Sequence, residues 1–224
     1  MGNLAQKAQA IFATFPERTR PQVAALHDLD GDPRLSPAAR KRAGAPFDQT
    51  VSTLYQDGRD QIAATKRAAR QALERERSRG LAQLLSDPQK YESVARQAAQ
   101  LGPTELARFA RAAVEAGDAG LAVAIQHGVA SRPPRDTDAA ALEPLAGVGA
   151  AEREAALAEL VAVQHLEAQF VARGPLSDHG PLMAAPEKVL GLADAAAVVP
   201  GENGEPVALP DSEVARLLEI AGVK

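Results

Sequence analysis

From residue 47 to residue 85 the chain runs without a proline, and its apolar positions return at helical spacing. Val51, Leu54, Tyr55, Ile62, Ala69, Ala72 and Leu73 lie mostly three, four, seven or eight residues apart. This predicts a single long helix with a narrow apolar stripe and an otherwise polar surface. At about 1.5 Å of rise per residue such a helix is roughly 55 Å long. A stripe this thin predicts an exposed rod that pairs with another helix, in a second copy or in another protein. Its interior glycines, Gly58 and Gly80, mark either close crossings or points of bending. Upstream, Asn3 caps a first helix to about Phe15, with Leu4, Ala8, Ile11, Phe12 and Phe15 on its apolar side. A second short helix is expected over residues 17–28, around Pro21, Val23, Leu26 and His27. Ser36-Pro37 opens a third that ends near Arg42 or Ala43. Gly44 and Pro46 are expected to interrupt the chain before the long helix begins near Phe47, because an interior proline removes a donor and clashes with the preceding turn.

Ser86-Asp87-Pro88 ends the long helix and starts the next. Three amphipathic segments follow. The first carries Tyr91, Val94, Ala95, Ala98 and Leu101, the second Leu106, Phe109, Ala110, Ala113 and Val114, and the third Leu121, Ala124, Ile125 and Val129. Gly102-Pro103 and Gly117-Asp118 separate them, and loops this short require antiparallel neighbours. Beyond the RPPRDTD stretch, residues 150–173 predict a helix with a wider stripe, through Leu157, Leu160, Val161, Val163, Leu166, Phe170 and Val171, closed by Gly174. A short helix is expected over residues 185–192. Val198-Val199 and residues 207–209 flank Asn203-Gly204, a hairpin signal, and a last helix carries Val214, Leu217, Leu218 and Ile220. The fold class expected is mainly all-α: a long helix, an antiparallel helical bundle and a small β-hairpin near the C-terminus. The corresponding division is short helices and a turn over residues 1–46, the long helix over 47–86, the bundle over 87–132, a linker over 133–138 and an acidic helical region with the hairpin over 139–224.

Composition sharpens this picture. Apolar residues make up 46% of the 224, yet aromatics are 3% and tryptophan is absent, so alanine-lined helix contacts must replace bulky side chains. Without cysteine there is no disulfide, thiolate metal site or cysteine nucleophile, which fits a reducing compartment. No apolar run is long enough for a signal peptide or a membrane span, and no membrane partner is expected. The net charge of −4 is unevenly spread. Residues 137–224 hold five basic and fourteen acidic side chains, a net −9, leaving +5 in the rest. Between Arg59 and Gly80, Arg59, Lys66, Arg67, Arg70, Arg75, Arg77 and Arg79 stand against Asp60, Glu74 and Glu76, a net +4. Such asymmetry suits contact between opposite ends of neighbouring copies, or a basic half facing an acidic partner.

Candidate chemistry is sparse. Asp28, Asp30 and Asp32 match the first acidic positions of a calcium loop, but Pro33 stands where its glycine belongs and Ala39 where its bidentate carboxylate belongs, so a turn is the simpler reading. His127 is expected close to an apolar helix face without a metal-ligand neighbour. His165 and Glu167 are two apart and point different ways on a helix, which does not make an acid/base pair. Ser177, Asp178 and His179 are adjacent, whereas a nucleophilic triad is assembled from separate segments. The segment from Gly147 has Glu152 where the third glycine of a dinucleotide loop belongs. Neither catalytic residues, nor a cofactor, nor a metal site is expected, and the protein is read as a non-enzyme.

The stretches LSPAARKRAG, TKRAARQALERERSRG and ELARFARAAVEAGD are set in the order short capped helix, Gly-Pro break, long Arg/Ala/Glu helix and bundle. In this the chain resembles the uncharacterised helical virion-structure proteins of tailed bacteriophages. The resemblance covers about half of the chain. It implies a virion protein, made in the host cytoplasm, that binds capsid, portal or neck proteins and itself, and works by assembly. The interaction residues expected on the long helix are Val51, Leu54, Tyr55, Ile62, Arg59, Lys66, Arg67 and Arg70. The alternative is a nucleic-acid-binding module using the basic strip from Arg59 to Arg79, which the pI near 5.6, the few aromatics and the interleaved carboxylates oppose.

Overall fold

A computed structural model describes residues 3–175, 198–200 and 205–221. The order of elements is α1 (Asn3–Gly31), α2 (Pro37–Ser86), α3 (Pro88–Gln100), α4 (Pro103–Ala116), α5 (Ala119–Ala130), α6 (Asp138–Leu142), a 3₁₀ turn (Glu143–Gly147), α7 (Ala150–Arg173), β1 (Val198–Pro200), β2 (Pro206–Ala208) and α8 (Asp211–Ala221). The protein is mainly all-α, with one short antiparallel strand pair among the described residues, in which Val199 is opposite Val207. The Asn203-Gly204 turn, the Ser177 to Pro181 loop and the helix expected over residues 185–192 lie outside the described residues.

Two of the expected breaks are absent. Pro16 and Pro21 lie inside a continuous α1, and Pro46 lies inside a continuous α2 that starts at Pro37, ten residues before the expected Phe47. The short helix after Ser36 is therefore the first part of the long one, with the Ser36 hydroxyl accepting from the Ala39 N–H at 3.3 Å. Gly44 does not interrupt it either: it is buried, and a Cβ there would stand 3.1 Å from Leu26 Cδ2 of α1. Asp28 and Asp30 belong to the last turns of α1, and only Asp32 makes a turn, its carboxylate accepting from the Arg34 N–H at 2.8 Å.

The chain divides into two compact units, one comprising Met1–Arg70 with Leu157–Lys224, the other Gln71–Ala156. In the first, α1, α2 and α7 share an apolar core of Ala8, Phe15, Tyr55, Ile62, Val163, Leu166 and Phe170, flanked by Leu4, Ile11, Phe12 and Leu54. Four of the chain's seven aromatic rings meet there. Phe170 stacks on Tyr55 with centroids 5.3 Å apart and meets Phe15 edge-on at 5.1 Å. The ring reaches α2 because residue 58 is glycine, where a Cβ would come within 2.6 Å of Phe170 Cζ. Leu160, Val161, Ala162 and Val163 of α7 are buried in succession. Four consecutive buried positions cover the full turn of a helix, so α7 is enclosed on all sides there.

In the second unit α3, α4 and α5 build the expected bundle over Ala98, Leu106, Ala110, Ala113, Ala122, Ile125 and Val129. Each helix start is capped by a carboxylate. Asp87 accepts from the Lys90 N–H, Glu105 reaches back to the Gly102 N–H, and Asp118 accepts from the Leu121 N–H. Helix α5 packs closely on α3 because Gly120 lies against the Tyr91 ring and Gly128 against the Ala95 carbonyl. Gly80 of α2 likewise lies against Ala119 and Val123. Two expected apolar-face residues are exposed instead, Val114 and His127. Residues 133–138, read as a linker, fall within this unit. There Arg132 and Asp138 form a buried ion pair at 2.7 Å, and the Arg135 N–H donates to the same carboxylate at 3.0 Å.

Candidate interaction surface

The eight interaction residues expected on α2 separate into three groups. Val51, Tyr55 and Ile62 are buried and Leu54 is half-buried, with Tyr55, Ile62 and Leu54 in the core against α1 and α7 of the same chain. This corrects the expectation of an exposed rod. The stripe was read correctly, but its partners are helices distant in sequence, because the aromatic rings of α1 and α7 fill the width that the small α2 residues leave. Tyr55 also donates its hydroxyl to the Val171 carbonyl at 3.4 Å. Burial raises its pKa above the ordinary 10.0, against the opposing pull of Arg59.

Lys66 forms the second group. Its ammonium lies 2.6 Å from Glu167 of α7, with both side chains part-exposed. An ion pair this open to solvent contributes at most about 1 kcal/mol, and it neutralises the charge locally.

Arg59, Arg67 and Arg70 form the third group. All three are exposed, and none takes part in an ion pair among the described residues. Helix propensity allows them there, since long straight side chains lose little freedom on a helix surface. Their position is fixed from beneath, by the aromatic core and by Gly58. Further along α2, in the second unit, Arg77 and Arg79 pair with Glu74 and Glu76 at i,i+3 spacing. The cations of the basic strip in the first unit without an ion pair among the described residues are therefore Arg59, Arg67 and Arg70. A shallow groove of about 490 Å³ on the second unit's part of α2 is lined by Arg75, Ser78, Arg79 and Gln83 among others.

A further polar cluster lies in the second unit. Asp118 accepts from Tyr91 Oη at 3.1 Å and Lys90 Nζ at 3.0 Å while capping α5. Burial pushes its carboxyl up, but the hydrogen bonds from Lys90, the Leu121 N–H and Tyr91 together bring it below its ordinary value. The same contact with Asp118, and then with Tyr91, raises the pKa of Lys90. A raised lysine pKa keeps the Lys90 amine protonated at neutral pH, where it faces the carboxylate that caps α5. Among the described residues no group of three His, Asp or Glu side chains is placed to hold a metal, and no helix is long and apolar enough to cross a membrane. No protein-family model, curated protein or solved structure matches the chain.

Proposed function

We propose that the protein is a non-catalytic assembly protein of a tailed-bacteriophage particle, which docks on acidic surfaces of neighbouring virion proteins through the outer face of α2. The observation that carries this reading is the row Arg59, Arg67 and Arg70, exposed and without ion pairs among the described residues, on a helix held from below by an aromatic core. Such a row is preorganised, so association does not have to order the helix that presents it. The phage setting comes from the resemblance of the short capped helix, the Arg/Ala/Glu helix and the following bundle to virion-structure proteins. Expressed together with the particle, the protein is expected to co-sediment with it through a density gradient and to be released by salt. Recovery only from the particle-free fractions overturns the reading.

The same exposed arginines favour one alternative, a nucleic-acid-binding module. Backbone-phosphate binding loses affinity steeply with salt, in proportion to the phosphates neutralised. A duplex that shifts in mobility with the protein at low salt, and no longer does once all three arginines are replaced by Gln, supports this alternative. An unchanged mobility at low salt removes it.

A further inference from the structure

Two exposed helix rows in this chain agree in spacing and oppose in charge. On α2, Arg59, Ala63 and Arg67 follow one another at i, i+4 and i+8; on α8, Asp211, Ala215 and Glu219 do the same. Residues four apart share a helix face, so each row places two like charges about 12 Å apart along its helix with an alanine midway. Arg59, Arg67, Asp211, Ala215 and Glu219 are exposed and Ala63 is half-buried. None of the four charged residues is in an ion pair among the described residues. The flanking charges do not cancel either row: residues 59–70 carry a net +3, including Asp60, and residues 211–219 a net −2, including Arg216.

We propose that the occupant of the α2 face is a second copy of this chain, whose α8 lies along it. The acidic row of one copy then meets the basic row of the other, with Asp211 and Glu219 opposite Arg59 and Arg67. The two alanines face one another at the midpoint and let the helix axes approach. This rests on reading α2 as a docking face and names what docks there. Two different surfaces meet in such a contact, so it builds either a two-fold pair in which each copy gives both rows, or a head-to-tail ring or open filament.

Sedimentation velocity of the full chain tests this. At low ionic strength the protein is expected to sediment as species larger than a monomer. In about 1 M salt, where the screening length falls to about 3 Å, it is expected to be monomeric. The exposed double variants R59E/R67E and D211K/E219K should each lose self-association by at least about tenfold, because both rows then carry one sign. An equimolar mixture of the two should regain it, as should the quadruple variant with all four charges exchanged. A monomer at every salt concentration overturns the proposal. So does association that persists in both double variants, or a mixture and a quadruple variant that stay monomeric. A monomer that still co-sediments with particles overturns self-docking and leaves the assembly reading standing; self-association without particle binding supports self-docking and removes the phage setting. Duplex binding by a protein that stays monomeric makes nucleic acid the occupant and overturns self-docking.

Discussion

Single atoms decide the packing of the first unit at Gly58. An added Cβ would come within 2.6 Å of Phe170 Cζ, the end of a ring already held by Phe15 and Tyr55. Gly58→Ala is therefore expected to destabilise by about 1–3 kcal/mol despite alanine's better helix propensity, because the ring has no room to retreat. Gly31→Ala is the control: nothing lies within 4 Å of its added Cβ. Urea denaturation of both variants checks the contrast, and equal midpoints would contradict it. Asp118 supplies a pH dependence. Its folded pKa lies below the ordinary value, so the unfolded chain binds more protons at acid pH. The stability it contributes is full above the ordinary carboxylate range and is lost as pH falls through the folded value. Asp118→Asn retains a capping side chain but should lose about 1–2 kcal/mol at neutral pH and show a shallower acid limb. Thermal melts between neutral and acid pH measure both.

At the scale of elements the prolines were misleading. Proline inside a helix costs about 3 kcal/mol relative to alanine, which made Pro16 and Pro46 read as boundaries, while Pro21 was placed within a short helix. In α1 the helix continues through two of them while burying Ala5, Ala8, Phe15 and Thr19, so tertiary packing overrides the local preference. Pro46 is exposed. Pro46→Ala is consequently expected to stabilise the protein, by up to about 3 kcal/mol, with a higher urea midpoint and an unchanged slope. Where a boundary had two signals, it was legible: Asp87-Pro88, Gly102-Pro103 and Gly117-Asp118 all stand where a helix ends and the next begins. The hidden signals were glycines of α5. Gly120 and Gly128 read as mild helix weaknesses in a sequence, and only the α3 atoms against them reveal a close crossing.

Across the whole molecule, periodicity showed which face of α2 is covered but not by what. Val51, Tyr55, Ile62, Ala69 and Leu73 are buried as the spacing implied. The covering residues around Tyr55, Phe15 and Phe170 among them, come from positions 40 to 115 residues away, and no local pattern encodes that proximity. The charges of the candidate surface were legible because they need no partner to be seen. That three of them have no ion pair among the described residues, while Lys66 is matched by Glu167, required the coordinates.

The placement of the aromatic rings has a practical consequence. The chain has two tyrosines and no tryptophan, and Tyr55 belongs to the first unit whereas Tyr91 belongs to the second. Each unit thus carries one phenol, and a Tyr→Phe change at either leaves an ultraviolet signal from the other alone. In the Tyr91→Phe variant, alkaline spectrophotometric titration should show the Tyr55 phenol ionising above 10.0 in the native protein, moving down to that value in urea. Native and unfolded curves that coincide would contradict its burial beneath Phe170.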